Sequence, residues 1–432
     1  MENYFSLKEY ALKYRRNNNW LWAGLIVLII GFVILLGLIN YRYSVQNPGG
    51  NDFLVHWMGT RTFLTEGISP YSDETARRIQ VFAYGHPAGP GEHQLRVAYP
   101  LYSIIFFMPY ALIPDFNVAR ALWMTTLEIA ILLLAYLSMR LANWKPDLIT
   151  LAVFFLFSIL WYHGLRPLIN GNAVILVALG LVGGFLAMRA GADEVAGVLF
   201  AFTTIKPQVV LLILAFVMFW AIMQKRWRLI IWTVVPVFIL SITAAFFLPD
   251  WILQNLREVI RYPSYNPPGT PGAVFAVWFP AMGQRLGLIL TGLLGALLII
   301  EWMRARHSDE RGFLWTACLT LVVSQWIGIQ TDPGNFIVLF PALVLVFATW
   351  EERWRRMGRI LSIFTMFALS AGIWILFLDT VQFGAEPIQS PIMFFPLPGI
   401  LLILLYWVRW WAIRPPNVWY EMLYSQENPK LL

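Results

Sequence analysis

The sequence predicts an all-α, polytopic membrane protein, and three observations carry that prediction. Apolar runs of about 20 residues recur along the chain, longer than a soluble core can use and long enough to cross a bilayer. Of the 432 residues, 59% are hydrophobic and 13% charged, too few charges to clothe a water-soluble surface. The 21 Trp and 17 Tyr suit the two bilayer interfaces, where an apolar ring with one polar atom is at home. The formal charge of +7 is then explained by anchoring on the cytoplasmic side and requires no nucleic acid. The single cysteine, Cys318, lies inside an apolar run and cannot form an internal disulfide.

In chain order, residues 1–19 carry Lys8, Lys13, Arg15 and Arg16 and read as a cytoplasmic N-terminus. The uncharged run 20–39 follows as an uncleaved first span, too long for a signal peptide and without a small-residue cleavage site. Residues 40–117 form the largest outer loop. In it Asn51 or Asp52 is expected to cap a helix that Gly67 stops. Phe53, Leu54, Trp57, Met58 and Leu64 recur at helical spacing, an apolar face suited to lying on the bilayer. Tyr99 to Pro114 is apolar but short and interrupted by Pro109, so it reads as a helix at or dipping into the outer surface.

Residues 118–247 contain spans at 118–139, 148–162, 173–188 and 229–247, with a hairpin of 195–205 and 209–223 between them. As one continuous helix that hairpin would place Lys206 in mid-membrane, at a cost of about 2.5 to 3.5 kcal/mol. As a hairpin it carries Lys206 at its outer tip. Residues 248–283 are a second outer loop, with an interfacial helix at 250–261 followed by a stiff Pro-rich stretch. Residues 284–411 add spans at 286–303, 312–329, 336–350, 360–378 and 392–411, and 412–432 form a cytoplasmic tail. The total is about twelve spans. Arg140, Lys145, Arg189, Lys225, Arg226, Arg304, Arg306, Arg353 and Arg355 then share the N-terminal side, as the positive-inside rule prefers for a plasma-membrane protein with both termini inside.

The candidate chemistry lies on the outer side. Asp52 is the first carboxylate beyond the first span and shares a helix face with His56, four residues on; it is the candidate general base, or else only a helix cap. Lys206 is a costly cation in an apolar setting, or else an anchor snorkelling to the surface. Arg96 and Arg166 suit a phosphate or lipid headgroups, Arg61 lies in the same helix as Asp52, and Asn170 and Asn172 flank a Gly turn. Asp332 opens an Asp-Pro-Gly turn and is explained by the turn alone or by a ligand. Glu128, inside a span, reads as hydrogen-bonded structure. His86, Glu92 and His93 match no established metal spacing and no Asp-x-Asp stands near Asp52, so no cofactor is expected; a divalent ion at that His/Glu set is the alternative.

Several of these segments together carry a resemblance. The Asp52-Phe53 opening, Gly67-x-x-Pro70-Tyr71, Tyr99-Pro100-Leu101, Gly171-Asn172 and Ile205-Lys206-Pro207 resemble, in order and spacing, family-87 glycosyltransferases. The resemblance covers roughly residues 20–350, with Tyr-Pro-Leu where the family usually has Tyr-Pro-Pro and Gly-Asn where it has Gly-Gln. It implies a GT-C fold and a donor sugar, typically mannose, on polyprenyl phosphate, passed to a glycolipid or glycan acceptor at the outer face. Under it Asp52 is the base and Lys206, Arg96 and Arg166 meet the donor phosphate. His56, Arg61, Tyr99, Asn170, Asn172 and Asp332 contact substrate. A transporter or flippase of lipid-linked saccharides is the rival reading, but the chain shows no internal repeat and gathers its polar groups on one side.

Overall fold

The computed structural model describes residues 2–266, 269–327, 330–382 and 387–414, with side chains from residue 20 onward. Most of the expected tail and the Pro267-Pro268 part of the second outer loop lie outside the described residues. Among the described residues there are eighteen α-helices and four short 3-10 helices, and β-pairing is limited to one isolated bridge, Gln382 to Ile388.

The helices are α1 (Glu2–Gln46), α2 (Asn51–Glu66), α3 (Asp73–Tyr84), α4 (Ile104–Ala111), α5 (Phe116–Leu141), α6 (Leu148–Leu160), α7 (Tyr162–Asn170), α8 (Val174–Arg189) and α9 (Asp193–Thr203). They continue with α10 (Pro207–Met223), α11 (Trp227–Phe247), α12 (Trp251–Arg261), α13 (Pro271–Trp278), α14 (Gly283–Ala305), α15 (Glu310–Ser324), α16 (Phe340–Trp354), α17 (Arg356–Thr380) and α18 (Pro396–Ala412).

Seven helical segments are long and apolar enough to cross a bilayer, or eight if α6 and α7, bent by 44°, form one span. This is a multi-pass membrane protein with fewer full-length spans than the expected twelve. The difference has a physical reason: α8, α9, α10 and α15, counted as spans from their hydrophobicity, are only 16, 11, 17 and 15 residues long. At 1.5 Å per residue each falls short of a bilayer core about 30 Å thick. The first helix also runs on past residue 39 to Gln46. Asn40 there donates to Thr125 and Glu128 (3.0 and 2.7 Å), which ties α1 to α5 and gives Glu128 its hydrogen-bonded role.

The α9–α10 pair is a hairpin. Its open end is closed by Arg226, which pairs with Asp193 and donates to the Met188 carbonyl, while Lys206 sits at the tip. The basic ends of the spans gather at the end of the bundle away from that tip. Arg189 donates to the Leu141 carbonyl and pairs with Glu310, and Arg311 pairs with Glu352 and donates to the Arg414 carbonyl.

Two expectations for α2 are corrected. Its N-cap is Gly50, in the left-handed region at φ 77°, with no side-chain cap; Asp52 lies inside the first turn, and neither it nor Asn51 caps the helix. Its apolar face does not lie on the bilayer: Phe53, Leu54 and Trp57 are buried against α4 and α5. Aromatic packing makes this seat, with the Phe53 ring stacked on Trp123 at 5.5 Å and on Phe116 at 5.9 Å. Gly67 ends the helix as expected, at φ 69°.

Candidate active site

Three separated stretches converge at one end of the bundle: the first turn of α2, the Gly171 turn between α7 and α8, and the tip of the α9–α10 hairpin. One face of α5 holds the first two. Arg120, 1% exposed, donates to the carbonyls of Asn47 (2.7 Å) and Ile169 (3.4 Å), and one turn further Trp123 donates to the Gly171 carbonyl (2.8 Å). The glycines are required by this closeness. A Cβ on Gly171, at φ 72°, would lie 2.5 Å from Phe53 Cβ, and one on Gly50 would lie 2.5 Å from Arg120 Nε.

At the convergence, Asn172 bridges two opposite charges. Its Nδ2 donates to Asp52 Oδ2 (3.0 Å), and its Oδ1 accepts from Lys206 Nζ (2.7 Å) and from the Val174 amide (2.9 Å). The two donors on Oδ1 fix which way the amide points. Lys206 is 4% exposed and lies 5.3 Å from the centre of the Tyr99 ring, a cation over an aromatic face. The other neighbour of Tyr99 is His56, 3.9 Å away between ring centres, and His56 in turn stacks on Phe107 at 4.6 Å.

Burial governs the protonation of these groups. It raises the Asp52 carboxyl above the ordinary range, aided by Asp332 and opposed by Lys206, Arg166 and Asn172. It lowers Lys206 to about 8, against the pull of Asp52 and Asp332. It lowers His56 to about 3, with Lys206 acting in the same direction. At neutral pH His56 is therefore a neutral imidazole. A carboxylate pushed up and an ammonium pushed down by burial, one amide apart, make this pair a candidate for acid–base chemistry.

Other expected site residues divide into two groups. Asp332 stands close enough for its charge to act on both Asp52 and Lys206. One of its oxygens accepts from the Gly334 amide at 2.5 Å, so it also makes the turn, and His163 Nδ1, 2.9 Å from the Pro333 carbonyl, pins that turn to α7. Arg166 acts on Asp52 through its charge, lies over Phe377 (5.5 Å), and has a buried Nε without a partner among the described residues. Asn170 is half-buried at the end of α7.

Arg61 and Arg96 stand apart. Arg61, nine residues beyond Asp52, falls on the opposite face of α2 and donates to the Ala111 carbonyl at 2.9 Å, closing the end of α4. Arg96 is held between Glu258 (2.6 Å) and Asp73 (2.5 Å). His93 accepts from the Leu95 amide at Nδ1 and meets Asn266 at Nε2, and no group of three or more His, Cys, Asp or Glu suited to a metal occurs among the described residues.

Sequence reasoning missed Tyr262. Burial raises its phenol well above the usual value, and the charges of Asp332 and Asp52 add to the effect. Its only signal was a Tyr-Pro pair after an amphipathic helix. Trp123 and Arg120 were missed as well, since both lie in what reads as an ordinary span.

The profile of glycosyltransferase family 87 matches residues 98–325, which include Tyr99, Asn172 and Lys206. No curated protein and no solved structure matches the chain.

Proposed function

The chain belongs to glycosyltransferase family 87, and from that membership and the site above we propose that it transfers a sugar from a polyprenyl-phosphate donor to a glycolipid or glycan acceptor. The sugar is mannose, on the expectation the family gives. Asp52 takes the proton of the acceptor hydroxyl as its oxygen attacks the anomeric carbon. The bond from that carbon to the lipid phosphate breaks, its electron pair leaves with the phosphate, and the anomeric configuration inverts in one displacement. Lys206 and Arg166 supply positive charge to the departing phosphate. Neutral His56, Tyr99, Asp332 and Tyr262 surround the sugar and acceptor hydroxyls.

The observation that carries this reading is the Asp52–Asn172–Lys206 chain. It gives Asp52 a partner other than its own helix and keeps a base and a phosphate-binding cation a single amide apart. The side of the membrane follows from the other end of the molecule. The basic span ends gathered there favour the cytoplasmic face by the positive-inside rule, which supports a site facing outward from the plasma membrane.

The test is sugar transfer in vesicles from a panel of polyprenyl-phosphate sugars, comparing the native chain with Asp52→Asn. Transfer of one sugar by the native chain, lost in Asp52→Asn while donor binding persists, is the expected result. Equal transfer by both would remove Asp52 from the chemistry.

A further inference from the structure

We propose that a cleft at the edge of α12 binds the phosphate headgroup of a membrane lipid, at a site separate from Lys206. The inference stands on α12 and does not depend on the transfer reaction.

The helix follows the span α11, whose last residues Phe246 and Phe247 are 82% and 72% exposed. Three residues later α12 turns two faces outward and inward. Ile252, Leu253, Leu256, Val259 and Ile260 are exposed on one arc, while Trp251 and Glu258 are buried on the other. Five large apolar side chains continuing the lipid-facing surface of a span find the bilayer, not water, as their solvent. At 100° per residue, Arg257 and Arg261 fall on one border of the apolar arc, between Leu253 and the buried Gln254–Glu258 side. They stand where hydrocarbon gives way to headgroups.

That border opens into a cleft of about 140 Å³ between α12 and the start of α3, walled by Arg96, Arg257 and Arg261 with Tyr71, Ser72 and Gln254. Three guanidinium groups face two carboxylates there. Arg96 satisfies both Glu258 and Asp73, and Arg261 lies 3.3 Å from Glu258 and 3.8 Å from Asp73. Arg257 makes no hydrogen bond or ion pair among the described residues. One positive charge is left over at the waterline, beside a half-engaged guanidinium that offers further N–H donors. A phosphate ester with its acyl chains along the apolar arc meets both needs.

The wall of this cleft also touches the candidate active site. Tyr71 donates to the Tyr99 carbonyl (2.7 Å), and Asn255 of α12 donates to the same oxygen (3.1 Å). A lipid seated at Arg257 thus sits behind Tyr99, whose ring neighbours both His56 and Lys206.

The experiment is native mass spectrometry of the full chain in detergent, titrated with short-chain phosphatidylglycerol. Arg257→Gln removes no contact within the fold and is expected to leave the thermal midpoint unchanged. It should weaken phosphatidylglycerol binding roughly fivefold, and Arg257→Gln with Arg261→Gln roughly twenty-five-fold, at about one surface arginine's worth of attraction each. Arg228→Gln, an equal loss of charge at the exposed start of α11, should bind as the native chain does. Equal affinity in the Arg257 and Arg228 variants, whether both are weakened or both unchanged, would overturn the proposal. So would displacement of the lipid by excess inorganic phosphate, which would make the cleft a site for free anions.

Discussion

Two carboxylates of the chain, Glu301 at one end of the bundle and Asp52 at the other, are treated oppositely, while Glu258, near Asp52's end, is paired with Arg96 as Glu301 is with its arginines. At the basic end, Glu301 is 3% exposed and both its oxygens are occupied by cations, one by Arg304 (2.9 Å) and the other by Arg409 (2.8 Å). At the other end, Asp52 and Lys206 make no direct ion pair, because Asn172 stands between them and takes a bond from each side. Direct pairing at the basic end quenches charge and locks helices together. An amide spacer leaves the carboxylate able to accept a proton and the ammonium able to meet an anion. The second arrangement is the one expected if Asp52 and Lys206 act on substrate, and it can be tested against the first.

The largest effect expected from breaking this contrast is at Asp52. Asp52→Asn should lower transfer by about 100- to 10,000-fold, the range general base catalysis supplies, with donor binding retained in a radiolabelled-lipid assay. Lys206→Met should also lose 100-fold or more, whereas Lys206→Arg keeps the charge and should recover part of it.

The pH profile of kcat/KM sharpens the contrast further. Transfer needs Asp52 ionised and Lys206 protonated, so activity should fall on the acid side at a pH above the ordinary aspartate value and on the alkaline side near 8. In Lys206→Arg the alkaline fall should vanish, because a guanidinium does not lose its proton there. An unchanged alkaline limb in that variant would assign it to another group.

Glu301→Gln gives the mirror result: transfer within a few fold of native, but a fold weakened by about 1 to 3 kcal/mol through loss of charge-assisted bonds, read as a lower thermal midpoint. Smallest in stability but specific in place, Gly171→Ala should cost about 1 to 2 kcal/mol in strain at positive φ. The Phe53 contact should carry that strain to Asp52, so kcat falls more than KM rises.

The parts of this contrast legible in the sequence were those that violate the composition around them. Lys206 stood out as a costly cation in an apolar setting, Asp52 as the first carboxylate beyond the first span, and Asn172 through the Gly171-Asn172 turn of the family resemblance. The hairpin was legible because a lysine in mid-span is too costly. Distances between loops were not legible, so Arg96 was grouped with Lys206 at the donor phosphate and Arg61 with the substrate contacts, although Arg61 closes α4 and Arg96 is held by Glu258 and Asp73. The cap at Asp52 was misread because residue preference favours Asp there. The left-handed Gly50 holds the position instead, with Arg120 packed where a side chain would go. Hydropathy counted about twelve spans where seven or eight described segments are long enough to cross, because it cannot separate a short helix buried in protein from one crossing lipid.

The segment Pro333–Trp354 has 94% of its apolar window buried by the rest of the chain, including α17 and α18, both synthesised after it. When this segment leaves the ribosome α5, α7, α8 and α15 are already made, but α17 and α18 are not, so part of its covering arrives last. Asp332 stands immediately before it, in a turn that α7 already pins through His163. Chains cut after residue 380 keep α17 but lack α18, and should insert with the α16 face that α18 covers left open; a thermal midpoint equal to the full chain's would refute this order of assembly.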